Sequence, residues 1–146
     1  MSGGALTQFE VLVVDDEPGD VELTRMALMD GRHSCQVSVA VNGNDALSRL
    51  RKLPPYASSP TPDLVLLDLN MPQKSGSEVL QEMKSDPALS TIPVVVLTTS
   101  DVERDVVSCY ELGASGYVTK PIDVDALFAE IRGIKEYWFG VVRRPG

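Results

Sequence analysis

Four short stretches of the sequence carry residues able to do chemistry together. VLVVDDEP at 11–18 runs four apolar residues into Asp15, Asp16 and Glu17. LLDLNMPQKSG at 66–76 ends an apolar run in Asp68, with Asn70 two residues on. VVLTTS at 95–100 closes with the hydroxyls of Thr98, Thr99 and Ser100, and GASGYVTKP at 113–121 delivers Lys120 followed by a proline. Adjacent carboxylates at the tip of an apolar run repel each other. Holding them near low-dielectric surroundings is costly unless a cation or other donors lie among them. Hard oxygen ligands favour Mg2+, which keeps some of its waters and often shares a phosphate. A carboxylate oxygen can act as a nucleophile toward phosphorus, and the transfer then needs charge neutralised around the moving group. A divalent ion, the Lys120 ammonium and the Thr98 hydroxyl are the groups that would supply it. Singly, each feature has an ordinary explanation: a helix cap, a turn, a loop. Their joint occurrence, each at the end of an apolar run, points to a site.

The elements that must position these groups alternate along the chain. Residues 10–15, 63–68 and 93–98 are short Val- and Leu-rich runs, as expected of strands buried on both faces of a parallel sheet. Cys35, Val37, Val39 and Val41 alternate with Gln36, Ser38 and Ala40, which predicts an edge strand with one wetter face. Gly116–Lys120 is expected to form the other edge. Between the runs lie helical patterns. Pro18 opens one that runs to about Asp30, with Gly31 as its stop. Asn42, Asp101 and Asp123 are expected to cap three others, and Val79, Leu80 and Met83 mark a further one ending before Pro87. In the last helix Val124, Leu127, Ile131, Ile134 and Trp138 share the 3–4 spacing of one face. Five strands alternating with five helices imply right-handed βαβ units in a three-layer α/β sandwich. In such sheets ligands gather beyond the carboxyl ends of the strands, where Asp15, Asp16, Asp68, Thr98 and Lys120 fall.

The 146 residues suit one domain with a substantial core, at 43% hydrophobic and 23% charged. A net charge of −8 argues against unaided binding to nucleic acid or an anionic membrane. No apolar run is long enough to span a bilayer, and MSGGALTQFE lacks the regions of a signal peptide, so a cytoplasmic setting is expected. Cys35 and Cys109 have no metal-type spacing and read as small core residues.

The four stretches together resemble response-regulator receiver domains of two-component signalling, over roughly residues 10–135. The resemblance implies a flavodoxin-like, doubly wound five-stranded parallel sheet of order 2-1-3-4-5 with helices on both faces. It implies that Asp68 is the phosphoacceptor. Asp16 would be a direct ligand of Mg2+ or Mn2+, Asp15 a ligand through water, and the Asn70 backbone carbonyl would join them. Thr98 would be the switch hydroxyl, Lys120 the phosphate-pairing lysine, and Tyr117 the aromatic whose rotamer reports phosphorylation. Asn70 and Ser100 would flank the path of the water that removes the phosphoryl group. Within the family, the Pro-rich loop at 54–62, the segment at 85–100 and the tail at 133–142 resemble stand-alone regulators that serve phytochrome histidine kinases.

The expected organisation is an N-terminal segment at 1–9, the receiver domain at 10–136 and an apolar tail at 137–146. About ten residues follow the last helix, too few for a DNA-binding or enzymatic domain, so the expected output is phosphorylation-dependent protein binding. The chain would catalyse only its own phosphoryl transfer and autodephosphorylation. A relay intermediate that passes the phosphoryl group to a histidine phosphotransfer protein is the alternative. His33, the only histidine, is expected to be a solvated loop residue. A flavodoxin-like electron carrier would need a hydroxyl- and glycine-rich loop where this chain has DDEPGD, and a phosphatase would want an acid at Asn70. Tyr137, Trp138 and Phe139 either pack back on the domain or build a homodimer, and the dimer is the expectation taken forward.

Overall fold

The computed structural model describes residues 8–31, 33–71, 73–99 and 103–141. Strands β1 (Phe9–Val14), β2 (Cys35–Ala40), β3 (Leu64–Leu67), β4 (Val94–Thr98) and β5 (Gly116–Thr119) form one parallel sheet of order β2-β1-β3-β4-β5. Helices α1 (Pro18–Met29), α2 (Gly43–Leu50), α3 (Gly76–Ser85), α4 (Glu103–Glu111) and α5 (Val124–Lys135) connect them.

The unbroken apolar runs are explained by burial on both sides. In β1, Leu12 and Val14 face a core with α2, α3 and α4, while Val11 and Val13 face a second core with α1 and α5. β3 and β4 split in the same way, Val65, Leu67, Val94 and Val96 on one side and Leu64, Leu66, Val95 and Leu97 on the other. Local chemistry starts the helices. Asn42 and Asp123 accept hydrogen bonds from the Asp45 and Ala126 backbone N–H groups, as expected. Ser75 and Glu78 form a reciprocal capping box at α3. Gly31 and Gly113 follow α1 and α4 with φ of +91° and +102°, conformations that favour glycine. The expected cap Asp101, and Val102 beside it, lie outside the described residues.

Four expectations are corrected. In β2 the two faces do not divide into wet and dry. Ala40, assigned to the wetter face, is fully buried, and Val41, assigned to the drier one, is 56% exposed. The doubly wound layout places helices on both faces even at this edge, and Val41 lies past the last strand residue. Val124 is exposed, because it is the first residue of α5 and projects before the helix settles on the sheet. His33 is half-buried, edge-on to Phe9 and Phe139, with Nε2 3.6 Å from Glu136 Oε1. The aromatic tail does not run past the reach of the domain. The chain continues from α5 as a π-helix over Glu136–Val141, Trp138 and Phe139 pack against the α1/α5 core, and Phe139 stacks on Phe9 with ring centroids 4.0 Å apart. Tyr137 remains half exposed.

Candidate functional site

The register of the sheet brings the sequence-predicted carboxylates together. Asp15 follows β1 and Asp68 follows β3, and these strands are neighbours with Val14 opposite Leu67. The Asp68 N–H donates to the Val14 carbonyl at 2.9 Å, so its backbone is fixed beside the Asp15–Asp16 pair. Carboxylate oxygens of Asp15, Asp16 and Asp68 all lie within 4.8 Å of one another. Asp15 and Asp68 are buried and Asp16 is exposed, which makes Asp16 the open side of the cluster.

Lys120 comes from the far side of the sheet. It follows β5, and its N–H donates to the Thr98 carbonyl at 2.6 Å. Its Nζ lies 2.6 Å from Asp15 Oδ2, 3.1 Å from Asp20 Oδ2 and 3.8 Å from Asp68 Oδ2. Burial alone would lower the Lys120 pKa, but the bond to Asp15 and the charges of Asp15 and Asp68 outweigh it, and the ammonium is held above its ordinary value. Burial raises the Asp15 carboxyl above its ordinary value; the Lys120 bond and the Glu17 N–H, donated to Oδ1 at 2.9 Å, offset this only in part. Around this ammonium the carboxylates of Asp15, Asp20 and Asp68, with Asp16 beside them, leave a surplus of negative charge.

Asn70 links the cluster to the hydroxyl. Its backbone N–H donates to Asp68 Oδ1 at 3.3 Å and its side-chain amide donates to Thr98 Oγ1 at 3.4 Å. Thr98 is fully buried at the end of β4. Tyr117 lies on β5 opposite Val96, half-buried against the α2/α3/α4 core. Ser100 lies outside the described residues. Tyr137, Trp138 and Phe139 are not part of this cluster; they line the α1/α5 side and a groove beside β5.

Sequence reasoning missed two contributors. Asp20 was passed over because an acid in the first turn of a helix is accounted for by the helix dipole alone. Its contact is with Lys120, which follows β5 far along the chain, and no local spacing signals it. Gly76 closes the stretch that follows Asp68, and the sequence alone does not reveal its close approach. A Cβ built there would lie 2.2 Å from the Asp68 carbonyl oxygen and 2.7 Å from Leu69 Cα, so the first turn of α3 presses directly on the backbone that carries Asp68.

An all-oxygen, surplus-negative set suits a hard divalent cation, so the residues fit Mg2+ or Mn2+. The comparisons agree with this geometry. Residues 11–132 match the family model of the response regulator receiver domain. Response regulator Rcp1 of Synechocystis sp. is 40% identical over 135 residues, covering 92% of this chain and 92% of the relative. The crystal structure of the phosphorylated cyanobacterial phytochrome response regulator RcpA superposes with a TM-score of 0.92 at 39% identity, over 96% of this chain and all of that one. The Mn2+-bound form of Rcp1 gives a TM-score of 0.89 at 39% identity, over 94% of this chain and 99% of that one.

Proposed function

The chain belongs to the response regulator receiver family, and on that premise we propose that it takes a phosphoryl group from a histidine kinase onto Asp68 and signals through phosphorylation-dependent protein binding. The observation that carries this reading is the cluster itself: Asp68 buried beside Asp15 and Asp16, with Lys120 Nζ 3.8 Å from its oxygen. The likeness to a phytochrome response regulator supports a phytochrome-type kinase as the donor.

In the proposed reaction an Asp68 oxygen attacks the phosphorus of a phosphohistidine. The P–N bond breaks, its electron pair returns to the imidazole, the imidazole takes up a proton, and Asp68 becomes an acyl phosphate. Asp15, Asp16, Asp68 and the Asn70 carbonyl would hold Mg2+ or Mn2+, which supplies charge neutralisation to the transferring group. Lys120 supplies an ammonium beside the same carboxylates, and its burial keeps water from screening it. The phosphoryl group adds roughly two negative charges and strong acceptor oxygens. Thr98 turns its hydroxyl toward them, exchanging its contact with Asn70, and Tyr117 on the neighbouring strand moves into the space released. Asn70 is neutral and cannot act as a strong base, and together with Ser100 it tunes the rate at which the phosphoryl group is lost. A second copy of the chain, covering the groove between Tyr110, Tyr117 and Tyr137, is the proposed assembly.

The test is labelling with acetyl phosphate in the presence of Mg2+. The parent protein should gain one phosphoryl group per chain by intact mass, and Asp68→Asn should gain none. Equal labelling of the two would remove Asp68 from this role.

A further inference from the structure

The geometry points to Asp20 as a positioning residue that tethers Lys120 and limits its hold on the phosphoryl group, a role that rests on the receiver reading above. An ammonium has three N–H donors. In Lys120 two of them are engaged, by Asp15 Oδ2 just after β1 at 2.6 Å and by Asp20 Oδ2 in the first turn of α1 at 3.1 Å. Asp68 Oδ2, at 3.8 Å, is beyond hydrogen-bond length. The ammonium is therefore hydrogen-bonded to Asp15 and Asp20 and not to the phosphoacceptor, and Asp20 is the partner that lies outside the carboxylate cluster.

Asp15 and Asp20 are not equivalent in this pull. Asp15 is buried in the carboxylate cluster and belongs to the proposed metal site. Asp20 is outside that cluster, its side chain is 38% exposed, and it stands in the first turn of α1. A phosphoryl group on Asp68 brings oxygens that attract the same ammonium. Asp20 then opposes it twice, as a competing acceptor for one Lys120 proton and as a negative charge close to the incoming anion. Removing the carboxylate while keeping the side-chain shape should let Lys120 move fully to the phosphoryl oxygens.

The experiment uses beryllofluoride, a phosphoryl mimic, titrated into the full chain at saturating Mg2+ and followed by isothermal titration calorimetry. Asp20→Asn should bind it roughly three- to five-fold more tightly than the parent, the upper part of the scale expected for one partly exposed charge contact. The acyl phosphate formed from acetyl phosphate should also persist several-fold longer. Asp20→Glu, which restores the charge, should return both values toward the parent. Glu22→Gln removes a charge from the same helix without touching Lys120, and should change neither by more than about two-fold. Parental values in Asp20→Asn, or weaker binding and a shorter lifetime, overturn the tether. An Asp20→Asn effect matched by Glu22→Gln also overturns it, because general charge would then account for the change. If the parent itself neither binds beryllofluoride nor labels, the receiver reading falls and the role of Asp20 falls with it.

Discussion

Asp16 is the exposed member of a crowded carboxylate set, and it is the residue whose loss should separate metal binding from folding. Asp16→Ala should bind Mg2+ at least ten-fold more weakly by calorimetric titration, yet melt at a higher temperature than the parent in chelator, because it relieves like-charge repulsion. A lower melting temperature in chelator would show that the cluster is not under strain. The raised Asp15 carboxyl gives this a pH dependence. Its folded pKa exceeds the unfolded one, so the metal-free native chain binds more protons in the window just above the ordinary aspartate value. Stability without metal should therefore fall as pH rises through that window. Mg2+ affinity should move the opposite way, weakening as pH drops and Asp15 takes up its proton. Gly76 offers a steric counterpart. Gly76→Ala puts a methyl group against the Asp68 carbonyl, and the unfolding free energy should drop by about 3 kcal/mol in denaturant titration. The five groups at strand ends were legible because nothing local explains them together; Asp20 was not, because the helix dipole gives it a sufficient local reason.

At the scale of elements, α1 and α5 are joined by an unusual contact. Lys135 is 2% exposed, and its ammonium donates to the Asp30 carbonyl at 2.5 Å, at the C-terminal end of α1 where the carbonyls lack helical partners. Lys135→Ala should remove this cap and leave a cavity, lowering stability by about 2–4 kcal/mol in denaturant titration. Lys135→Met should recover part of it through packing. A surface-like loss below about 0.5 kcal/mol would show the ammonium to be dispensable. The strands and helices were legible from apolar runs and caps, since a two-faced sheet demands continuous burial and each cap acts within its own turn. Two elements were not. Edge strand β2 looked one-sided because its polar residues alternate, although helices cover both faces. The tail looked stranded because an α-helical period spreads consecutive aromatics around the axis. The wider π turn over Glu136–Val141 resets that angle and brings both Trp138 and Phe139 to the core.

For the molecule as a whole, the structure packs part of the tail on its own domain. Trp138 and Phe139 serve the core, while half-exposed Tyr137 and Tyr110 remain on the groove proposed for a second copy. Truncation after Glu136 should thus cost roughly 3–5 kcal/mol of stability, because it uncovers Phe9 and the α1/α5 face. Tyr137→Ser should leave folding nearly intact. By light scattering at micromolar concentration the parent should exceed the mass of one subunit, and Tyr137→Ser should approach it. A parent of single-subunit mass, with and without beryllofluoride, would assign the tail wholly to its own domain. The Phe9–Phe139 stack has a further consequence in time. During synthesis the ring at the start of β1 leaves the ribosome early, and its partner is among the last described residues to follow. Until Phe139 emerges the nascent sheet carries an unclosed apolar flank, and a chain stalled before that residue would present the flank to chaperones.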